Sequence, residues 1–201
     1  MSSNFVDAAN IDIQVSSDEG KFLPNIGVVL EPLDKSNIPT NAQPQIMDQI
    51  DTQFVPHFLI AQKSALVSFP NSDSIKHHVY SFSEAKTFEL KLYRDRKPAP
   101  LPFEKQGEVI LGCNIHDWML GYIYVVDTPW FGKTDKSGLL NKTLPEGEYK
   151  LTLLNPQLQR EDLDKSIKIS VRGHTKIQVK LMKPLLPKLD EYEDGDEFDE
   201  Y

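Results

Sequence analysis

Three residues near the middle of the chain could share one soft or borderline metal ion: Cys113, His116 three positions on, and Met119 three beyond that. They fall in GEVILGCNIHDWMLGYIYV, residues 107–125, where one apolar run ends at the cysteine and a second opens at Leu120. A strand end is a rigid platform, and a short loop leaving it can turn a thiolate, an imidazole and a thioether toward one point. Upstream, FPNSDSIKHHVYSF, residues 69–82, sets His77 at another loop-to-strand junction and adds a second imidazole. Two imidazoles and a thiolate in a plane, with a weak axial thioether, form the donor set of a mononuclear copper site that carries electrons. Thiolate and thioether suit Cu(I), while imidazole also suits Cu(II), so such a site tolerates both oxidation states with little rearrangement. With all four positions filled by side chains, no coordination position stays open for a substrate. The expectation is electron transfer without catalysis.

The same residues admit plainer readings. Cys113 is the single cysteine, which rules out an internal disulfide and any zinc site built on paired cysteines. A lone cysteine in a strand is ordinarily a small buried hydrophobe, and Met119 beside Trp118 and Leu120 could be plain core. Their fixed offsets from His116, in a chain with five His and four Met, outweigh both readings. A Cys113 nucleophile activated by His116 would need an electropositive, substrate-shaped loop, and none accompanies it. His57, behind Pro56, and His174, in a turn with Gly173, read as structural or solvated. Asp73 and Asp135 read as turn residues. That leaves too few histidines for the second, catalytic copper of an oxidase or nitrite reductase.

The elements that must position these donors are strands. Apolar and polar residues alternate strictly over 87–93 (TFELKLY), 147–153 (GEYKLTL), 166–171 (SIKISV) and 176–181 (KIQVKL). Continuous apolar runs cover 25–30, 58–60, 65–69, 109–111 and 120–126, and turn residues such as Pro70-Asn71 and Lys136-Ser137-Gly138 separate them. Short strands at this spacing predict an all-β sandwich. A short helix is expected only near 45–53. Loops are expected over 34–44 and 94–102, where Pro98, Pro100 and Pro102 favour an extended, solvated path.

With 201 residues, 39% apolar and 26% charged, the chain can build one sizeable core or two small ones. No stretch approaches the roughly 18 apolar residues of a membrane span. The opening MSSNFVDAANIDIQV has no basic and then apolar leader, so no complete signal peptide is expected in it. The net charge of −8 is local: the final LDEYEDGDEFDEY carries eight carboxylates and no Lys or Arg, and elsewhere 22 acidic residues balance 22 basic ones. Residues 184–201 are therefore expected to form a disordered acidic tail, either solubilising or docking to a basic partner. No basic stripe accompanies the aromatics, which argues against nucleic acid as a partner.

Against this background, Cys113-Asn114-Ile115-His116-Asp117-Trp118-Met119 resembles the C-x-x-H-x-x-M ligand loop of the cupredoxins, in the short form of amicyanins. Asn71 and His77, followed by Val79, resemble the segment carrying the first histidine in plastocyanins and amicyanins. Gly107-Glu108 and Gly121 also match, so that the resemblance spans roughly 54–126. It implies a cupredoxin-like Greek-key β-sandwich holding one copper ion, Cu(I) or Cu(II). His77, Cys113 and His116 would form the trigonal plane and Met119 the axial contact. Cys113 would supply most of the electronic coupling and His116 the exit route. It further implies a periplasmic location and a redox partner, a cytochrome or a copper or quinone enzyme, meeting a patch around Trp118 and Leu120. The family carries Asn after the first ligand, tying the two ligand loops together; here His78 stands there. Either His77 or His78 can then supply the imidazole, with pattern position favouring His77. His78, Asn71 and Asn114 are expected beside the ligands. Asp117-Trp118 replaces a proline-rich pair, so loop stiffness and potential do not carry over.

The flanks resemble something else. Ile11-Asp12-Ile13-Gln14-Val15 and 23–30 resemble the opening of a carboxypeptidase-regulatory-like, or transthyretin-like, β-sandwich, and 134–138 with 144–149 resemble its later half. The whole chain is loosely similar to methylamine-utilisation-type proteins. The expected organisation is a small sandwich split into 11–33 and 128–183, with the copper module 45–127 inserted at an exposed turn. Two other function classes use the same residues: a copper-binding or delivery module without electron transfer, and a structural or carbohydrate-binding β-sandwich with a vestigial ligand set.

Overall fold

Apolar residues recur at every second position through most of the chain, and each such stretch buries one face as a strand. The computed structural model describes residues 7–94 and 98–187. In chain order come β1 (Ala8–Ser16), β2 (Gly27–Pro32), β3 (Gln45–Ile46), β4 (Asp48–Ile50), β5 (Gln53–Val55) and β6 (Phe58–Gln62). Next are β7 (Ala65–Ser68), β8 (His77–Ser83), β9 (Lys86–Tyr93), β10 (Leu101–Phe103), β11 (Gly107–Cys113) and β12 (His116–Val126). The last third adds β13 (Phe131–Lys133), β14 (Leu139–Pro145), β15 (Gly147–Leu154), the one-turn helix α1 (Arg160–Leu163), β16 (Ser166–Val171) and β17 (His174–Lys180). The protein is an all-β sandwich, as its alternation predicts.

Two separate cores form. β1 lies between β14 and β17, and β2 between β13 and β15, which also pairs with β16. Ile11, Ile13, Val28, Leu30, Leu151 and Val171 bury their side chains between these two sheets. The first two strands thus close on strands from the end of the chain. The intervening residues build their own body, a five-stranded sheet in the order β6-β12-β11-β8-β9 against a three-stranded sheet β10-β7-β3. Its core holds Met47, Phe69, Val79, Leu111, Met119 and Ile123. A third cluster, Val29, Phe58, Ile60, Tyr124 and Val126, joins the two bodies. There Lys133 sets its Nζ 3.6 Å from the Phe58 ring centroid, a cation–π contact, and donates to the Phe58 carbonyl. Gly27 permits this approach, because a Cβ there would stand 2.8 Å from both Ile60 Cδ1 and the Leu154 carbonyl oxygen.

Three expectations need correction. The helix expected near 45–53 is instead β3, β4 and β5: Met47 and Gln49 are buried at alternate positions, a strand period that outranks helix propensity. Asp51 and Thr52 take left-handed φ values of 51° and 57°, turning the chain back as a β4–β5 hairpin. For a β-branched residue such as Thr52 that conformation costs about 1–2 kcal/mol. Second, the proline-rich loop ends early, since Leu101–Phe103 pairs with β7 and buries Phe103 completely; Pro102 sits on an edge strand, where a missing N–H is tolerated. Third, the chain after β17 does not leave at once: Leu185 packs on the first core, and Leu186 exchanges two backbone-directed hydrogen bonds with Gln157. The acidic run 189–201 lies outside the described residues.

One polar bridge crosses the second core. Fully buried Gln49 donates from Nε2 to the Pro70 carbonyl at 2.7 Å and to the Tyr93 hydroxyl at 2.6 Å, and Tyr93 donates to the Phe69 carbonyl at 2.7 Å. Burial pushes the Tyr93 phenol up to about 12, does the same to Tyr149, and raises Tyr124 as well. Below pH 10 folded and unfolded chains both keep these protons. From about pH 10 to about 12 the unfolded chain loses them and the folded chain does not, so stability falls with rising pH. Urea unfolding across that window should show the midpoint dropping, with part of the slope removed in Tyr93→Phe; a flat profile would contradict buried, protonated phenols.

Candidate metal centre

The donors sit where β8, β11 and β12 meet at one end of the five-stranded sheet. Cys113 ends β11, Asn114 and Ile115 make the turn, and His116 opens β12. The connecting loop is therefore two residues, shorter than the sequence pattern implies. Gly112 pairs with Leu120 but Cys113 pairs with His116, so one step on β11 faces four on β12. Asp117, Trp118 and Met119 buckle out of the ladder as a bulge. The buckle exposes Asp117 and Trp118 and sends Met119 into the core at 2% exposure, against the same cluster that holds Cys113. On β8 the pleat alternates: His77, Val79 and Ser81 face inward, and His78, Tyr80 and Phe82 face outward. Pairing of Val79 with Cys113 then draws His77 beside the thiol.

Cys113 Sγ lies 3.8 Å from His77 Nδ1 and 3.6 Å from His116 Nδ1, and the two imidazole centroids are 4.9 Å apart. The three donor atoms all lie within 4.8 Å of one another. His77 is fully buried, Cys113 nearly so, and His116 reaches partly to solvent. First-row metal bonds of about 2.0 Å to nitrogen and 2.3 Å to sulfur, opened to a trigonal angle, would hold N and S about 3.7 Å apart. The observed separations fit one ion between the three side chains. The same separations also suit hydrogen bonds, with the thiol proton on His77 Nδ1 and a His116 Nδ1–H on the sulfur. What marks the cluster as a metal centre is its donor set, two imidazoles and a thiol within reach of one point.

His77 is fixed from behind. Its Nε2 stands 3.0 Å from Asp73 Oδ2, so the ring donates there and turns an Nδ1 lone pair toward Cys113. Asp73 Oδ2 also accepts the Thr52 N–H at 2.8 Å, and Oδ1 the Ser74 N–H at 3.0 Å. The Thr52 N–H first, then His77 and Ser74, hold the Asp73 carboxyl below the usual carboxylate range. Asn71 shapes this loop: its Oδ1 accepts the Asp73 N–H, and its Nδ2 donates to the Ile75 and Tyr93 carbonyls. Asn114 donates its N–H to the His78 carbonyl at 3.2 Å, stitching the ligand turn to β8.

His78 does not join the cluster. It faces the other side of the sheet, its Nε2 2.9 Å from Glu89 Oε1 but out of line for a hydrogen bond, and its ring edge-on to Tyr80. Trp118 is 57% exposed, its ring 5.4 Å from that of His116; with Ile115, also exposed, it lines the rim beside the solvent edge of the site, while Leu120 is half-buried. Asp73 and Thr52 are the residues that sequence reasoning missed. Asp73 lies four positions before His77, a spacing with a carboxylate-to-imidazole meaning only once the loop's path is known. His174 pairs with Asp12 at 2.8 Å on the first sandwich, far along the chain from the cluster.

No protein-family model and no curated protein matches this chain. Among solved structures it is similar to the reduced Cu(I) form of an amicyanin point mutant, at TM-score 0.37 and 16% identity, covering 49% of this chain and 98% of that one. A copper-containing nitrite reductase from Thermus scotoductus SA-01 aligns at TM-score 0.40 and 20% identity, over 48% of this chain and 25% of that one. A purple cupredoxin from Nitrosopumilus maritimus gives 0.34 and 21%, over 41% and 99%. At these scores the weight rests on the donor geometry.

Gly121, two residues past Met119, is where the β4–β5 hairpin presses on β12: a Cβ there would lie 2.8 Å from Phe54 Cβ. Phe54 is buried and has its Cβ fixed to the backbone, so it cannot swing aside. Gly121→Ala should lower the unfolding free energy by about 1–3 kcal/mol through overpacking. The readout is a lower urea midpoint at constant slope, and an unchanged midpoint would mean that the hairpin yields.

Proposed function

We propose that this protein passes single electrons through one copper ion, which His77, Cys113 and His116 would hold with Met119 as a fourth donor. The observation that carries this reading is the convergence of a thiol sulfur and two imidazole Nδ1 atoms at 3.6 and 3.8 Å in a largely buried site. A bound copper ion would supply a one-electron couple between Cu(I) and Cu(II). The chain's own groups do the rest. Asp73 keeps His77 in the tautomer that offers Nδ1. The apolar surroundings of Cys113 and Met119 exclude water and competing ligands. His116, the most exposed of the three, is the exit for the electron, and the exposed Trp118 and Ile115 beside it form the landing surface for a redox protein.

On this reading the protein is a carrier and not an enzyme, because its own side chains would supply the donors and leave no position for a substrate. It works in the periplasm, alongside the cupredoxins it resembles. Residues 45–127 are the copper module, set into a carboxypeptidase-regulatory-like sandwich formed by 11–33 and 128–183, and the chain is of the methylamine-utilisation type. Among the described residues no helix is long and apolar enough to cross a membrane.

Stoichiometric Cu(II) added to the purified protein should give an intense visible thiolate-to-copper band and a matching electron paramagnetic resonance spectrum. Cys113→Ser should abolish both. Copper bound without the band would indicate storage or delivery. No stoichiometric binding would remove the copper reading altogether.

A further inference from the structure

Thr52 is a β-branched residue held at φ 57°, in a hairpin turn where glycine would relax freely. Strain of this kind persists where the surroundings over-determine it, and here the surroundings are the two ligand loops. The Thr52 N–H donates to Asp73 Oδ2, the atom that also receives His77 Nε2. The Thr52 hydroxyl donates to the Asp51 carbonyl at 2.7 Å and accepts from Trp118 Nε1 at 3.4 Å. Trp118 belongs to the bulge between His116 and Met119, and its ring lies against His116. One residue therefore touches the support of His77 on one side and the ligand bulge on the other. It does so from an element, β4–β5, that carries no ligand itself.

We infer that the tip of the β4–β5 hairpin is a clamp that fastens the two ligand-bearing loops together, with Thr52, Asp73 and Trp118 as positioning residues. The Asn114 N–H on the His78 carbonyl ties the ligand turn to β8 directly. The clamp adds a second tie from outside both loops. It holds His77 Nδ1 and the 117–119 bulge in place before any metal arrives, so that loading and a change of charge on the ion move little.

This inference rests on the copper reading for its purpose but not for its test, because the apoprotein reports on it directly. Nitrogen-15 correlation spectra of the apoprotein should show His77 as the Nε2–H tautomer. Asp73→Ala should lose that preference and Asp73→Asn, which keeps an acceptor oxygen, should restore it. Thr52→Gly relieves the turn, so the apoprotein should unfold at the same temperature as wild type or higher. The loaded Thr52→Gly protein should nonetheless surrender copper to a chelator faster, by roughly 10–100-fold, with a shifted reduction potential, and Trp118→Phe should move both in the same direction. Thr52→Ser should behave as wild type. Copper release from Thr52→Gly at the wild-type rate, or an unaltered His77 tautomer in Asp73→Ala, would overturn the clamp. Failure of the wild-type protein to bind copper would remove the function and leave the tautomer and stability results to judge the clamp alone.

Discussion

A fully buried imidazole must have both of its nitrogens answered, and His77 shows how the whole site follows from that requirement. Asp73 takes the proton on one side. The other side is left with a lone pair inside an apolar core, facing a sulfur that also faces His116. The Cys113 thiol proton can answer that lone pair, and a His116 Nδ1–H can answer the sulfur in turn. A cation at the centre would replace both hydrogen bonds and take all three donors at once. The pleat of β8, the end of β11 and the start of β12 each bring one of these three groups to that point.

The strands were readable because their pattern is local. Residues 147–153 and 166–171 alternate cleanly, and β15 and β16 follow within a residue of that pattern. The nearness of Cys113 to His116 was readable because their spacing is short and their chemistry is specific. The hairpin at 48–55 was not, since Met47 and Gln49 bury one apolar and one polar side chain and blur the period. Gln49 in particular looks like a surface residue until Pro70 and Tyr93 are seen to receive its amide. Thr52 was illegible for a different reason, since its contact with Asp73 joins segments about twenty residues apart, and the four-residue spacing of Asp73 and His77 has no meaning until the path of the loop is known. The choice between His77 and His78 needed the register of β8, because adjacent residues on a strand face opposite ways.

The two sandwiches divide the physical work. The first, closed by β1 and β2 on β14 to β17, has an ordinary aliphatic core and an outer face of paired polar side chains such as Asp12 with Asn141 and His174. Both bodies bury polar groups, Thr134, Asn155 and Asp162 in the first and Gln49 and His77 in the second. Among the described residues, the second alone brings a thiol and two imidazoles together.

β12 spans the distance between these two jobs. It starts at His116 in the donor cluster and ends at Val126 in the contact between the sandwiches, and at about 3.3 Å per residue its length is roughly 30 Å. Lys133 grips Phe58 on the neighbouring β6, and Tyr124 and Val126 pack in the same contact, so β12 is held at that end while its other end carries the donor cluster. Whatever disturbs the contact between the sandwiches is thereby kept about the length of one strand from the donor cluster.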